Sequence, residues 1–316
     1  MSKFRSWTNA ILFSGAAAQG AVQASGDLDT YLRTLISTRR QHPQQDLLSR
    51  LTTADEDGAG LSDTEILAMA FLLLIAGHET TVNLIGNTML TLLTAQDRYK
   101  RLRERPEQLP AALEEHLRHL GPVHIATIRF TTEPLALGGT PIEADELIFV
   151  SLTAANSDPH RFPHPDTVDY QRQPGGHLAF GHGIHVCLGA PLARAEATIA
   201  ITRLLCRYPN MRLATDSDRF QWRTSTLIRG LETLPVQSAN AAQVRTDAAR
   251  WSSRWRVIPH GAPCYGFAGI IAVLLRRSCS SGRRRGTTRP PRRLLVRVAV
   301  PSRHHLPRGG APRPRT

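Results

Sequence analysis

The stretch with the most chemical content is Phe180-Gly181-His182-Gly183-Ile184-His185-Val186-Cys187-Leu188-Gly189-Ala190-Pro191-Leu192-Ala193-Arg194. Its glycines let a loop fold tightly and let its backbone approach a flat object, and Pro191 suits the first turn of a helix. Cys187 then stands just ahead of a helix N-terminus, whose free N–H groups and dipole favour the thiolate, the form that binds metal. A second stretch, Ala76-Gly77-His78-Glu79-Thr80-Thr81, falls in the middle of a long apolar run. An unpaired carboxylate there costs several kcal/mol, so Glu79 must be paired, neutral or functional. Gly77 weakens the helix locally, and Thr80 can bond a backbone carbonyl of the preceding turn. In a third stretch, Glu115-His116-Leu117-Arg118, opposite charges stand at i and i+3, which is usually a solvated ion pair. Taken singly, these could be a buried cysteine in a turn, a glycine-kinked core helix and a surface pair.

The cysteine string resembles the ligand loop of the cytochrome P-450 family, the haem-thiolate monooxygenases, whose pattern is Phe-Gly-x-Gly-x-His-x-Cys-x-Gly. Every fixed position is present. The second stretch is similar to the acid–alcohol motif of the family's oxygen-binding helix, and the third to its Glu-x-x-Arg pair, in the family's order. The resemblance implies the C-terminal part of the family fold, mainly α with a minor β-sheet. It implies haem b ligated by the thiolate of Cys187, with Gly189 in the same loop and Phe180 shielding the sulfur from water. Glu79 and Thr80 would be the catalytic pair, Thr80 hydrogen-bonding dioxygen and its water and Glu79 feeding protons. Glu115 and Arg118 would form a buried structural pair completed by Arg172. Arg129, His177 and His185 match the family's partners for the haem propionates. Residues His124 to Thr127, with Thr226 and Leu227, would face a small organic substrate. Electrons would come from NAD(P)H through a ferredoxin and its reductase or a flavoprotein.

The resemblance runs from about Tyr31 to Val236 and is closest to soluble bacterial members. In the family the oxygen-helix motif lies past the chain midpoint, whereas here it occupies residues 76–81 of 316. Part of the distal wall, the substrate lid, part of the sheet and one propionate-binding helix are therefore expected to be missing. An inactive remnant that holds haem weakly or not at all stands as the alternative to a working monooxygenase.

These groups need elements to position them. Apolar residues from Leu28 to Leu51, interrupted at Pro43, predict two short amphipathic helices. Ser62-Asp63-Thr64-Glu65 has the form of a capping box, and the proline-free apolar run to Thr94 predicts one helix about 50 Å long. A helix over Pro110–His119 ends at Gly121-Pro122, and short strands follow at Ala126–Phe130, Leu135–Leu137 and Leu147–Leu152. Residues 153–185 read as a long irregular loop entering a helix over Ala190–Tyr208, with further strand or turn segments at Leu213 and Trp222–Pro235.

With 41% hydrophobic and 21% charged residues, the composition excludes a wholly disordered or collagen-like chain. The net charge of +13 is unevenly spread: 17 of the 39 basic residues and one of the 26 acidic residues lie beyond Val236. Residues 1–236 thus form a slightly acidic body and 237–316 an Arg/Pro-rich tail, expected to be disordered. Its clusters, such as Arg283-Arg284-Arg285, could neutralise phosphates of a nucleic acid, or could come from GC-rich message read in a shifted frame. The near absence of acids favours the second origin, so nucleic acid is not an expected partner. The four cysteines, Cys187, Cys206, Cys264 and Cys279, match no disulfide or zinc pattern, which points to a reduced, cytoplasmic compartment. The small and apolar stretch Ala10–Ala24 is too interrupted by Ser14, Gln19 and Gln23 to read as a leader, and no membrane span is expected.

Overall fold

The structure, a computed structural model, describes residues 2–13, 18–53, 60–173, 175–216 and 219–238. Most of the basic tail lies outside the described residues, and the expectation for it with them. The described helices are α1 (Ser2–Phe13), α2 (Ala18–Gln41), α3 (Leu47–Thr53), α4 (Asp63–Thr94), α5 (Gln96–Glu104), α6 (Leu109–Leu120), α7 (Leu152–Asn156) and α8 (Ala190–Arg207). The strands are β1 (Arg129–Phe130), β2 (Leu135–Leu137), β3 (Thr140–Ile142), β4 (Leu147–Ile148), β5 (Met211–Leu213) and β6 (Val236–Ser238). They pair antiparallel as β1 with β4, β2 with β3 and β5 with β6. The architecture is mainly helical with small sheets.

α4 begins where the sequence places it. Ser62 Oγ accepts the Glu65 N–H at 3.3 Å, and the Glu65 carboxylate accepts the Ser62 N–H at 2.8 Å, which satisfies two orphan donors of the first turn. The helix then runs 32 residues, about 48 Å, and joins two cores. Its first turns pack Ile66 and Leu67 against Leu28, Leu32 and Ile36 of α2. From Leu84 to Leu93 it is buried against α5, α6 and α8, through Tyr99, Leu102, Leu113, Leu117 and Ile201. Between the cores one face stays open, with Met69, Leu72 and Leu73 exposed. By length and composition α4 could cross a membrane, but its second half is the central core helix.

α2 begins at Ala18 rather than near Asp27, and carries Val22-Gln23-Ala24 within its second turn, with Ala24 buried. α5 was not expected: its sequence is charge-rich, and only Tyr99 and Leu102 enter the core. α6 ends at Gly121, where a Cβ would stand 2.6 Å from the Leu117 carbonyl oxygen, so no larger residue fits this close approach. β6 extends to Ser238, two residues past the end of the sequence resemblance, because Gln237 and Ser238 pair with Arg212 and Met211.

His116 of α6 is fully buried, with Nε2 3.1 Å from the Tyr170 hydroxyl and its ring edge-on to that of Tyr170. Burial, helped by the positive charge of His119 and Arg98 and opposed by Glu115, pushes its pKa down to about 3. The unfolded chain takes up this proton at about pH 6.5 and the fold does not. Stability is therefore lost as pH falls from about 6.5 towards 3, by up to about 1.4 kcal/mol per pH step. Urea unfolding across that interval should show a shallower loss in His116→Phe than in the parent chain; equal slopes would contradict the assignment.

Candidate functional site

The cysteine loop is shaped by its own backbone. Gly181 and Gly183 adopt φ of 73° and 78°, the left-handed region that a side chain would resist. Cys187 N–H donates to the Phe180 carbonyl at 2.9 Å and closes the loop, and Ala190 N–H donates to the Cys187 carbonyl at 3.2 Å as α8 begins. Pro191 follows in the first turn of α8. The Cys187 side chain is exposed, and a Cβ on Gly189 would lie 3.8 Å from its sulfur.

On α6 Glu115 accepts both forks of Arg118, at 2.9 and 2.8 Å, and Arg172 Nε approaches at 3.3 Å. The Asp169 N–H donates to the same carboxylate at 3.1 Å. Burial alone would raise the Glu115 carboxyl, but Arg118, the Asp169 amide and Arg172 hold it below the usual range. Arg118 also donates to the carbonyls of Asn156, Pro165 and Thr167. The three residues picked from sequence thus meet, and they tie α6 to the irregular segment before the loop.

On α4 the two adjacent residues face different surroundings. Glu79 is buried, with Thr8 of α1 donating to Oε1 at 3.5 Å, Arg223 Nη2 3.9 Å from Oε2, and His78 Nε2 3.8 Å from Oε1. Among the described residues Oε2 has no hydrogen-bond partner, nor does the buried Nε of Arg223. Burial pushes the His78 imidazole down, Glu79 partly restores it and Arg5 adds to the lowering. Thr80 is half-buried and donates its hydroxyl proton to the Ala76 carbonyl at 2.6 Å, which leaves its lone pairs free to accept.

His177 is held by partners that the sequence does not reveal. Its Nε2 lies 3.0 Å from Glu114 Oε2 and its Nδ1 accepts the Ala179 N–H at 3.2 Å, so neither ring nitrogen is left for a propionate. Arg129 and His185, in contrast, are exposed and make no side-chain hydrogen bond or ion pair among the described residues. Glu114 and Arg194 went unnoticed in the sequence. Arg194 Nε and Nη2 reach the two oxygens of Glu114 at 2.6 and 2.9 Å, and its guanidinium lies 4.5 Å from the centre of the Phe180 ring. The segments expected to face the substrate do meet: Val123 bridges Ile228, and His124 N–H donates to the Leu227 carbonyl.

A flat apolar group bonded through Cys187 fits these residues. Ile184, Val186 and Leu188, which flank Cys187 in the chain, are 96%, 56% and 88% exposed, apolar side chains left uncovered next to a thiol that can ligate metal. On α4 a Cβ at Gly77 would meet no atom of the described residues within 4 Å.

The family profile described as Cytochrome P-450 matches residues 6–219. Cytochrome P-450 107B1 of Saccharopolyspora erythraea is 51% identical over 234 residues, which cover 74% of this chain and 58% of the relative. The cytochrome P-450 monooxygenase PikC of Streptomyces venezuelae is 48% identical over 74% of this chain and 56% of its own length. Among solved structures, the tirandamycin C-bound monooxygenase TamI superposes with a TM-score of 0.69 at 48% identity, covering 74% of this chain and 58% of that one. The bacillaene polyketide synthase cytochrome PksS of Bacillus subtilis gives 0.72 at 41% identity, covering 76% of this chain and 62% of that one. The chain spans a little over half the length of these relatives. Proteins of this family hold haem b through a cysteine thiolate. A profile match over most of the chain, relatives near half identity and the same architecture in solved structures make the chain a member of the cytochrome P-450 family.

Proposed function

We propose that the chain carries the haem-binding side of a monooxygenase that inserts one oxygen atom of dioxygen into a C–H bond. The observation that carries this reading is the exposed Cys187 at the head of α8, in a loop closed by its own amide and flanked by uncovered apolar side chains. The reaction consumes a C–H substrate, dioxygen, two electrons and two protons, and yields the alcohol and water. Haem, when bound, supplies the iron at which dioxygen is activated.

The chain's own groups do the rest. Cys187 provides the thiolate ligand, Phe180 keeps water from the sulfur, and Arg129 and His185 hold the propionates. The Thr80 hydroxyl, with its proton committed to Ala76, accepts a hydrogen bond from a proton-bearing water, and Glu79 supplies protons to that water from its buried site beside Arg223. Electrons come from NAD(P)H through a ferredoxin and reductase or a flavoprotein, in the cytoplasm. The body through residue 236 holds this chemistry, and the basic tail holds none of it.

The substrate is inferred to be a bulky apolar molecule. Relatives at 39% to 47% identity include a 6-deoxyerythronolide B hydroxylase and a vitamin D(3) 25-hydroxylase, and Phe149, Val150 and Leu227 offer exposed apolar surface near the paired 123–127 and 226–228 segments. The test supplies haem-loaded chain with NADPH, a bacterial ferredoxin and reductase, isotopically labelled dioxygen and 6-deoxyerythronolide B or vitamin D(3). Product carrying one labelled oxygen is expected. Thr80→Ala should lower its rate about a hundredfold while leaving bound haem unchanged. Haem-loaded chain that forms no labelled product, or an undiminished rate in Thr80→Ala, would overturn the assignment.

A further inference from the structure

We propose that Glu114 is the anchor of a positioning clamp that fastens both flanks of the cysteine loop to α6, through His177 on one side and Arg194 on the other. His177 precedes the loop and Arg194 follows it in the first turns of α8. Both donate to one carboxylate: Arg194 Nε to Oε1 at 2.6 Å, Arg194 Nη2 to Oε2 at 2.9 Å and His177 Nε2 to Oε2 at 3.0 Å. A loop whose two ends are drawn to a single point has little freedom left in its middle, where Cys187 stands.

The clamp also reaches the loop from within. The Arg194 guanidinium is stacked over the Phe180 ring at 4.5 Å, and the His177 ring lies 6.4 Å from the same ring. The Phe180 carbonyl in turn accepts the Cys187 N–H at 2.9 Å. Positions of Glu114, Arg194, Phe180 and Cys187 are therefore coupled through bonds and one stacked contact. Planarity matters at Arg194, because a lysine cannot span both carboxylate oxygens. Glu114 stays anionic in this setting. Burial raises its carboxyl, but the hydrogen bonds from Arg194 and His177 outweigh that and bring it down to about 2, so the clamp does not open over the ordinary pH range.

These residues act on the ligand's position and not on substrate, and the inference rests on the haem-thiolate reading only for its consequence, not for its geometry. Hydrogen–deuterium exchange of the full haem-free chain tests it in the parent, Glu114→Gln and Arg194→Lys. The amides of Val186 and Cys187 should exchange about tenfold faster in both variants, while peptides from α2 and from the second half of α4 keep the parent rate. An unchanged loop would overturn the clamp, and so would equal acceleration everywhere, which would make the cluster a general support of the core.

In haem-loaded chain reduced under carbon monoxide, the fraction keeping the thiolate band should fall in Arg194→Ala and fall less in Arg194→Lys. Equal fractions in the parent and both variants would count against the clamp. If the parent itself shows no thiolate band, the haem reading fails, while the exchange comparison still decides the clamp.

Discussion

Arg118→Ala is expected to cost about 3–5 kcal/mol of stability, the usual result of removing one partner from a buried ion pair. Arg118 is 3% exposed and serves a carboxylate and three backbone carbonyls, from Asn156, Pro165 and Thr167. Truncation leaves Glu115 buried with only Arg172 at 3.3 Å and one amide to offset its charge, and leaves the carbonyls without their donor. Typical domains are stable by about 5–15 kcal/mol, so this loss removes a large share of the stability and should move the unfolding midpoint to much lower denaturant. Arg118→Lys keeps the charge but cannot serve both Glu115 oxygens and the carbonyls together, and should recover only part of the loss. Denaturant unfolding followed by circular dichroism reads both. The exposed Arg33–Asp29 pair on α2 gives the contrast: Arg33→Ala should leave the unfolding midpoint nearly unchanged, because solvent screens that pair. A midpoint in Arg118→Ala equal to the parent's would show that the pair does not brace the fold.

Cys187→Ser separates chemistry from folding. The Cys187 side chain is exposed, and the bonds that close its loop are made by its backbone N–H and carbonyl. A hydroxyl there should therefore shift stability by no more than about 0.5 kcal/mol. A serine oxygen, even where it meets the iron, cannot supply the electron donation of a thiolate. Haem added to the variant should lack the spectrum of a thiolate ligand, while the haem-free variant unfolds at the parent's denaturant concentration. A variant that keeps the thiolate spectrum would place the ligand elsewhere; one that fails to fold would give Cys187 a structural role that its exposure argues against.

The features legible in the sequence are those whose causes are local. Ser62 and Glu65 cap α4 within four residues, and the conformations of Gly181 and Gly183 and the entry into α8 are set within the loop. The Glu115–Arg118 pair is one turn long, and only Arg172 had to be found at a distance. What stayed hidden depends on separation along the chain. Glu114 meets His177 and Arg194 across 63 and 80 residues, and beside Glu115 it reads as one more charge on a solvated helix face. The contacts of the His177 ring with Glu114 and the Ala179 amide are hidden for the same reason. α5 was obscured by its charge, although Tyr99 and Leu102, three residues apart and both buried, carry the helical spacing. The start of α2 at Ala18 was obscured by small residues with weak periodicity.

The absorbance of the haem-loaded chain, reduced and exposed to carbon monoxide, tests most directly whether Cys187 ligates the haem iron. A band at about 450 nm in the parent that is lost in Cys187→Ser is the predicted result. Haem-loaded parent chain without that band, or the same band in Cys187→Ser, would contradict it.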